Sequence, residues 1–290
     1  AGYIRGIANP CLFRHSTKDV QIVVHGDDFM ASGTDADLKE VKAMLANKYK
    51  ITSEVLGPDA GQVQEVRILN RIVRWCKDGL RIEADPRHAE LVMEQMQVEG
   101  EKCVSTPGVS GVDEEDADDD EELQGSASKE YRGLATRCNY LGPDRPDMQY
   151  AIKESARCMA NPRECDWALL KKLGRYLLFR PRLVLRYGWQ KRPTCIDGYT
   201  DSDWGGCTRS RKSTSGAVIM VGKHVIKSYS KQQKVLALSS AEAETYGMVS
   251  CSAEVLGIQS CAKDMGLGYD GTIYADASAA LGIVQRRGIG

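Results

Sequence analysis

Three carboxylates stand in three different local contexts: Asp201 in Tyr199-Thr200-Asp201, Glu242 in Ser239-Ser240-Ala241-Glu242, and Asp276 in Ile273-Tyr274-Ala275-Asp276. A strand carboxylate, a helix-start carboxylate and a second strand-end carboxylate can converge on one divalent cation, because hard cations such as Mg²⁺ are held by oxygen ligands. Phosphodiester hydrolysis is the chemistry such a layout serves. Each acid also has an ordinary explanation. Glu242 stands three residues after Ser239, the spacing of a capping box, and can close a helix N-terminus against the Ser239 backbone amide. Asp276 can act as the N-cap of the following helix, with Ser278 nearby. Glu244 lies in the same first turn but points about 200° away from Glu242 around the helix axis, so the two cannot face one metal, and Glu242 is the expected ligand. On the first strand Asp201 is preferred to Asp203. A second pair, Asp27-Asp28, follows His25-Gly26 at what reads as a tight turn, where acids are most often simply solvated.

The elements that must position these groups follow from the hydrophobic pattern. Val20 to Val24 is a β-rich run, and with Phe29 to Gly33 it predicts a hairpin carrying Asp27 and Asp28 at its turn. Thr34 or Asp35 can cap a helix through about Tyr49, with Leu38, Val41, Leu45 and Tyr49 at helical spacing. Val63 to Leu69 and Ile72 to Trp75 predict further sheet, followed by a helix near Arg87 to Met96. From Tyr131 to Phe179 the periodicity is helical, punctuated by Pro162 and Pro181. The last segment predicts strands over Cys195–Trp204, Gly216–Val221 and Val225–Ser230, a helix from Ala241 to Met265, a strand over Thr272–Ala275 and a helix from Ala277 to Arg286. That order gives a mixed sheet with helices against it.

Composition is compatible with nucleic acid as a partner. The 290 residues are 42% hydrophobic, enough to bury a core and to form more than one domain. The formal net charge is only −1, yet residues 113–122 hold nine acids, so the remaining chain carries +8. A basic excess suits a polyanion, and an ordinary soluble basic surface explains it equally well. The acidic run, extended through Gly125-Ser126-Ala127-Ser128, predicts a flexible connector. Ten cysteines without a CxxC pair read as reduced intracellular thiols, and no apolar run is long enough to span a bilayer. The opening Ala1-Gly2-Tyr3 and the closing Arg286-Arg287-Gly288-Ile289-Gly290 read as those of a piece of a longer protein.

Taken in order, Tyr199-Thr200-Asp201-Ser202-Asp203-Trp204, Arg211-Lys212-Ser213-Thr214-Ser215-Gly216, Ser228 to Gln232, Ala237 to Glu244 and Tyr274-Ala275-Asp276 to Ala280 resemble the ribonuclease H domain of copia-type LTR retrotransposons. Upstream, Asp27-Asp28, Thr106-Pro107, Tyr131-Arg132 with Tyr140-Leu141, Arg145-Pro146-Asp147 with Tyr150-Ala151, and Arg175-Tyr176-Leu177 are similar to the palm and thumb of the same family's reverse transcriptase. The resemblance covers nearly the whole chain.

It implies an α+β and α/β multidomain protein: a partial reverse-transcriptase palm with the start of the thumb (1–109), an acidic linker (110–129), a helical thumb or connection (130–193) and a ribonuclease H-like mixed sheet with flanking helices (194–290), truncated at the C-terminus. It implies that Asp27 and Asp28 are the palm acids and that Asp201, Glu242 and Asp276 are nuclease ligands, each set holding Mg²⁺ or Mn²⁺ in a two-metal site. The implied partners are an RNA–DNA hybrid and an RNA template with DNA primer, with no membrane. The implied setting is intracellular, in a cytoplasmic virus-like particle or the nucleus. The chain departs from the family in having His25-Gly26 where Tyr-x usually precedes the paired acids, and it stops before the family's fourth nuclease acid. A catalytically inactive nucleic-acid-binding remnant is therefore the alternative. Lys212, Lys223, Lys227, Lys231 and Lys234, with Arg209 and Arg211, would make the hairpin region basic for phosphate tracking, or serve only as a solvated strand edge. Trp204 is read as packing beneath the carboxylates or as core filling.

Overall fold

Alternating apolar residues and tight turns build the first sheet. A computed structural model of the chain describes residues 2–108, 121–207 and 210–286. Strands β1 (Tyr3–Arg5), β2 (Leu12–His15), β3 (Gln21–His25) and β4 (Asp28–Ser32) form an antiparallel meander in that order. His25 pairs with Asp28, which leaves Gly26 and Asp27 as a two-residue turn, and Gly26 has the positive φ of 62° that such turns demand. Helix α1 (Asp35–Ala46) starts at Thr34, whose side chain accepts from the Asp37 amide. Val20, Ile22 and Val41 form the small core beneath.

The second sheet joins distant parts of the chain. Strands β5 (Glu65–Ile68), β6 (Arg71–Cys76) and β7 (Gly79–Ala84) form a meander whose edge is completed by β8 (Leu185–Gly188), with Gly79 opposite Gly188. Between β7 and β8 lie α2 (Pro86–Gln95), α3 (Gly125–Leu141), a single 3₁₀ turn at Gly142–Asp144, α4 (Gln149–Arg157) and α5 (Glu164–Phe179). Tyr131, Leu134, Cys138, Leu141, Leu170, Leu173 and Leu177 recur at helical spacing and are buried in one core with Val92 and Met96. Burial there pushes the Cys138 thiol up to about 12, so it packs as a small apolar group.

The connector expected over 110–129 is corrected at its end. Residues 109–120 lie outside the described set, but the chain is helical from Gly125, and Ser128 is buried. The physical reason is an apolar stripe, Ala127, Tyr131, Leu134 and Cys138, that draws the first turn of α3 onto the core. Arg145 is also buried, at 1% exposure. Its guanidinium donates to Asp147 Oδ1 at 3.0 Å and Oδ2 at 2.9 Å, and to the carbonyls of Arg180 at 2.8 Å and Pro181 at 3.2 Å, closing the C-terminus of α5.

The third sheet consists of β9 (Cys195–Ser202), β10 (Thr214–Val221), β11 (His224–Gln232) and β12 (Asp270–Tyr274), ordered β11-β10-β9-β12. β9, β10 and β11 are antiparallel, whereas β12 runs parallel to β9 after the 25-residue helix α6 (Ser240–Asp264), and α7 (Ser278–Gln285) follows. The protein is thus mixed α/β with several antiparallel sheets, consistent with an α+β fold. The helical region meets this sheet through Gln149, which donates to the Ser228 carbonyl at 3.1 Å, and the second sheet meets it through Tyr187 of β8, which donates to the Val225 carbonyl at 2.9 Å. Among the described residues no helix is long and apolar enough to cross a membrane.

Candidate functional site

Strand register brings the first two acids together. Tyr274 of β12 pairs with Tyr199 of β9 in parallel, and two residues further along each strand path stands an aspartate, Asp276 and Asp201. Neighbouring strands lie about 4.8 Å apart, so acids at matching offsets become neighbours. The tyrosines stack, their ring centroids 4.8 Å apart and planes 12° from parallel. Asp276 is not a helix cap: the N-cap of α7 is Ala277, with no side-chain cap bond.

The third acid comes from α6, and it is Glu244 rather than Glu242. Ligand oxygens of Asp201, Glu244 and Asp276 all lie within 4.8 Å of one another, and among the described residues this is the one group of three or more such side chains. Ser239 caps α6 by accepting from the Glu242 amide at 3.2 Å. Glu242 itself turns outward, where it accepts from the Leu238 amide at 2.8 Å and the Tyr246 hydroxyl at 2.9 Å. The signal for Glu244 was in the sequence. It shares a helix face with Gly247, Met248, Cys251 and Val255, all buried, so an acid there is turned toward the sheet.

Two glycines let α6 approach β9. A Cβ at Gly198 would meet Cys251 Sγ at 2.7 Å, and one at Gly247 would meet Ser202 Oγ at 3.1 Å. Glu244 is 6% exposed; its Oε1 accepts from the Ser202 amide at 3.0 Å, and its buried Oε2 has no hydrogen-bond partner. Burial raises its pKa, helped by the charges of Asp201 and Asp276 and opposed by the Ser202 amide. Three mutually repelling carboxylates, one with an orphaned oxygen, fit a hard divalent cation, which would supply the missing positive charge.

The other expected groups lie elsewhere. Asp27 and Asp28 sit exposed at the β3–β4 turn, and they join no group of three potential ligands among the described residues. Asp203 accepts from the Thr214 amide at 2.7 Å and shapes its loop. Trp204 neither fills a core nor lies buried beneath the acids; it is 59% exposed and donates to the Ala237 carbonyl at 3.0 Å. Lys227 and Lys231 are both engaged by Glu254, and Arg209 lies outside the described residues.

An all-oxygen trio at the meeting of two parallel strands and a helix start defines the class of site: an acidic cluster of the kind suited to cation-dependent phosphoester chemistry. The relatives that the chain matches are retrovirus-related Pol polyproteins of copia-type transposons. Over 117 residues, 40% of this chain and 8% of the relative, it is 37% identical to the Pol polyprotein from transposon RE2 of Arabidopsis thaliana. It is 36% identical over 117 residues to that from RE1 of the same plant, again 8% of the relative. The similarity to the polyprotein from transposon TNT 1-94 of Nicotiana tabacum spans 288 residues and 96% of this chain, at 25% identity. The chain therefore spans 8% to 21% of the length of these relatives. No protein-family model matches it.

Proposed function

We propose that the third sheet with α6 and α7 is a ribonuclease H unit that hydrolyses the RNA strand of RNA–DNA hybrids. We further propose that the upstream sheets and helices derive from the palm and thumb of the RNA-directed DNA polymerase of the same polyprotein. The observation that carries the nuclease reading is the convergence of Asp201, Glu244 and Asp276 within 4.8 Å. These residues would hold Mg²⁺ or Mn²⁺, with Glu244 in the place that the sequence reading gave to Glu242. Bound there, divalent ions supply the electrostatic stabilisation that phosphodiester hydrolysis needs, as in two-metal nucleases.

The chain's own residues do the rest. Ser202 fixes one oxygen of Glu244 through its backbone amide and leaves the other available. Exposed Asp201 and Asp276 open the cluster to solvent, where a hybrid can reach it. Lys234 and Arg211 are exposed, and with Lys212 and Lys223 they give the surrounding strands and loops positive charge for phosphate contacts. The partners on this reading are an RNA–DNA hybrid and, for the polymerase part, an RNA template with a DNA primer. The setting is intracellular, in a virus-like particle or the nucleus. A second reading, a nucleic-acid-binding remnant without catalysis, is carried by His25-Gly26 ahead of Asp27-Asp28, where the family usually has Tyr-x.

The test is cleavage of a labelled RNA–DNA hybrid by the purified chain with Mg²⁺, with Mn²⁺ and with chelator, beside Asp201→Asn. Metal-dependent cutting that the variant loses is the expected result. Hybrid binding without cutting would favour the remnant, and cutting unchanged in Asp201→Asn would overturn the site.

A further inference from the structure

Gln233 lies in the segment between β11 and α6, 8% exposed, and it joins three elements at one point. Its Nε2, with two N–H groups to donate, lies 3.1 Å from Ser202 Oγ on β9, 2.9 Å from Ser215 Oγ on β10 and 2.8 Å from the Ala243 carbonyl on α6, while its buried Oε1 has no hydrogen-bond partner. Its backbone amide donates to the Ser213 carbonyl at 2.7 Å. The Ala243 carbonyl can only accept, so it determines which end of the Gln233 amide faces the helix. Ser202 Oγ donates to that same carbonyl at 3.0 Å.

Two of these partners adjoin the acid cluster directly. Ser202 follows Asp201 and holds Glu244 through its backbone amide, and Ala243 precedes Glu244. The physical problem at this point is repulsion: three carboxylates within 4.8 Å push the start of α6 away from β9 when no cation is bound. Ala243 is buried in this first turn, the sheet core that α6 shares takes Cys251 and Val255 further along, and a Cβ on Gly247 would touch Ser202 and Thr200 oxygens. A buried neutral amide can hold the first turn against the strands without adding charge to the cluster.

We propose that Gln233 is the positioning residue of the carboxylate site: by tying Ala243 to Ser202 and Ser215 it keeps Glu244 within reach of Asp201 and Asp276, and so sets the affinity for the cation. The proposal deepens the nuclease reading and rests on it in taking the trio as a cation site. Residues that orient ligands from behind typically alter metal affinity by about 10–100-fold when removed. Gln233→Met keeps the side-chain volume and loses every side-chain hydrogen bond. Ser202→Ala removes the hydroxyl from the network while leaving the main-chain bond to Glu244 intact.

The experiment is titration of the purified chain with Mn²⁺, followed by calorimetry or electron paramagnetic resonance, for the wild type, Gln233→Met, Ser202→Ala and Asp201→Asn, with melting curves in chelator beside it. The expected result is an Asp201-dependent Mn²⁺ site weakened about 10–100-fold in Gln233→Met and less in Ser202→Ala. Hybrid cleavage by Gln233→Met should recover as Mn²⁺ is raised, which a loss of folding would not permit. If Gln233→Met does not fold, Ser202→Ala decides the matter. Wild-type Mn²⁺ affinity in the folded variants would overturn the role of Gln233 and leave the nuclease reading standing. Absence of an Asp201-dependent site in the wild type would overturn both.

Discussion

The Asp27-Asp28 turn and the Asp201-Glu244-Asp276 cluster are both acidic, but they are built in different ways. The first comes from a single hairpin: its two carboxylates are consecutive, exposed and held only by a Gly26 turn. The second draws one acid each from a strand, a helix start and a strand end, and it buries one of them with an oxygen left unpaired. A hairpin can present acids at little cost, because water solvates them. Convergence with burial is unfavourable without a cation, and so it points more strongly to a function.

The contrast is most sharply tested by hybrid cleavage. Glu244→Gln should lower metal-dependent cutting by about three orders of magnitude, as loss of a group worth several kcal/mol implies, whereas Glu242→Gln should change it by no more than about twofold. Asp27→Asn with Asp28→Asn should likewise leave this cleavage within about twofold, and a large loss in that double variant would erase the distinction. Packing gives the next largest effect. Gly198→Ala places a methyl 2.7 Å from Cys251 Sγ and should cost about 1–3 kcal/mol in denaturant melts. Gly26→Ala meets nothing within 4 Å and should cost only about 1 kcal/mol, through its positive φ.

A smaller effect at Glu244 is read by pH. Burial raises the Glu244 pKa, so the folded chain holds that proton more tightly than the unfolded chain does. Stability of the metal-free protein therefore falls as pH rises from the ordinary value of 4.5 through the raised one. Glu244→Gln should raise the melting temperature in chelator by a few degrees at pH 7, and the gain should vanish below about pH 4. The smallest effect concerns the surface. Glu254→Gln frees Lys227 and Lys231 and should strengthen hybrid binding about twofold at low salt, with a steeper salt dependence in a fluorescence titration.

Local signals gave the third region its element order: strand, strand, strand, helix, strand, helix, from Cys195 to Gln285. Two-residue alternation and the Ser239 cap are written within a few residues of where they act. The β7–β8 pair was not legible, because Leu185–Gly188 is short and its partner Gly79–Ala84 lies about 100 residues earlier along the chain. Arg145-Pro146-Asp147 stood out as a motif, but its role in closing α5 depends on Arg180 and Pro181, which only the fold brings near. In the carboxylate cluster, Asp201 and Asp276 are legible as acids at the ends of neighbouring strands, whereas the sequence pattern points to Glu242 where the fold brings Glu244 to them. The capping-box spacing drew attention to Glu242, while the Gly247-Met248-Cys251-Val255 face, which decides the matter, required reading the helix three turns further.

Helix α6 has a mechanical consequence. Its far end is moored where Asp264 accepts the amides of Ile7 at 2.9 Å and Asn9 at 2.8 Å, in the loop between β1 and β2. From Glu244 to Asp264 the helix is about 30 Å long, a stiff rod. A tilt of about 5° about one end displaces the other by about 2.6 Å over that length. A ligand set tolerates only about 0.5 Å of misplacement. The Ile7–Asn9 loop is thus an anchor at the long arm of a lever, and its grip on Asp264 steadies the alignment of carboxylates at the opposite end.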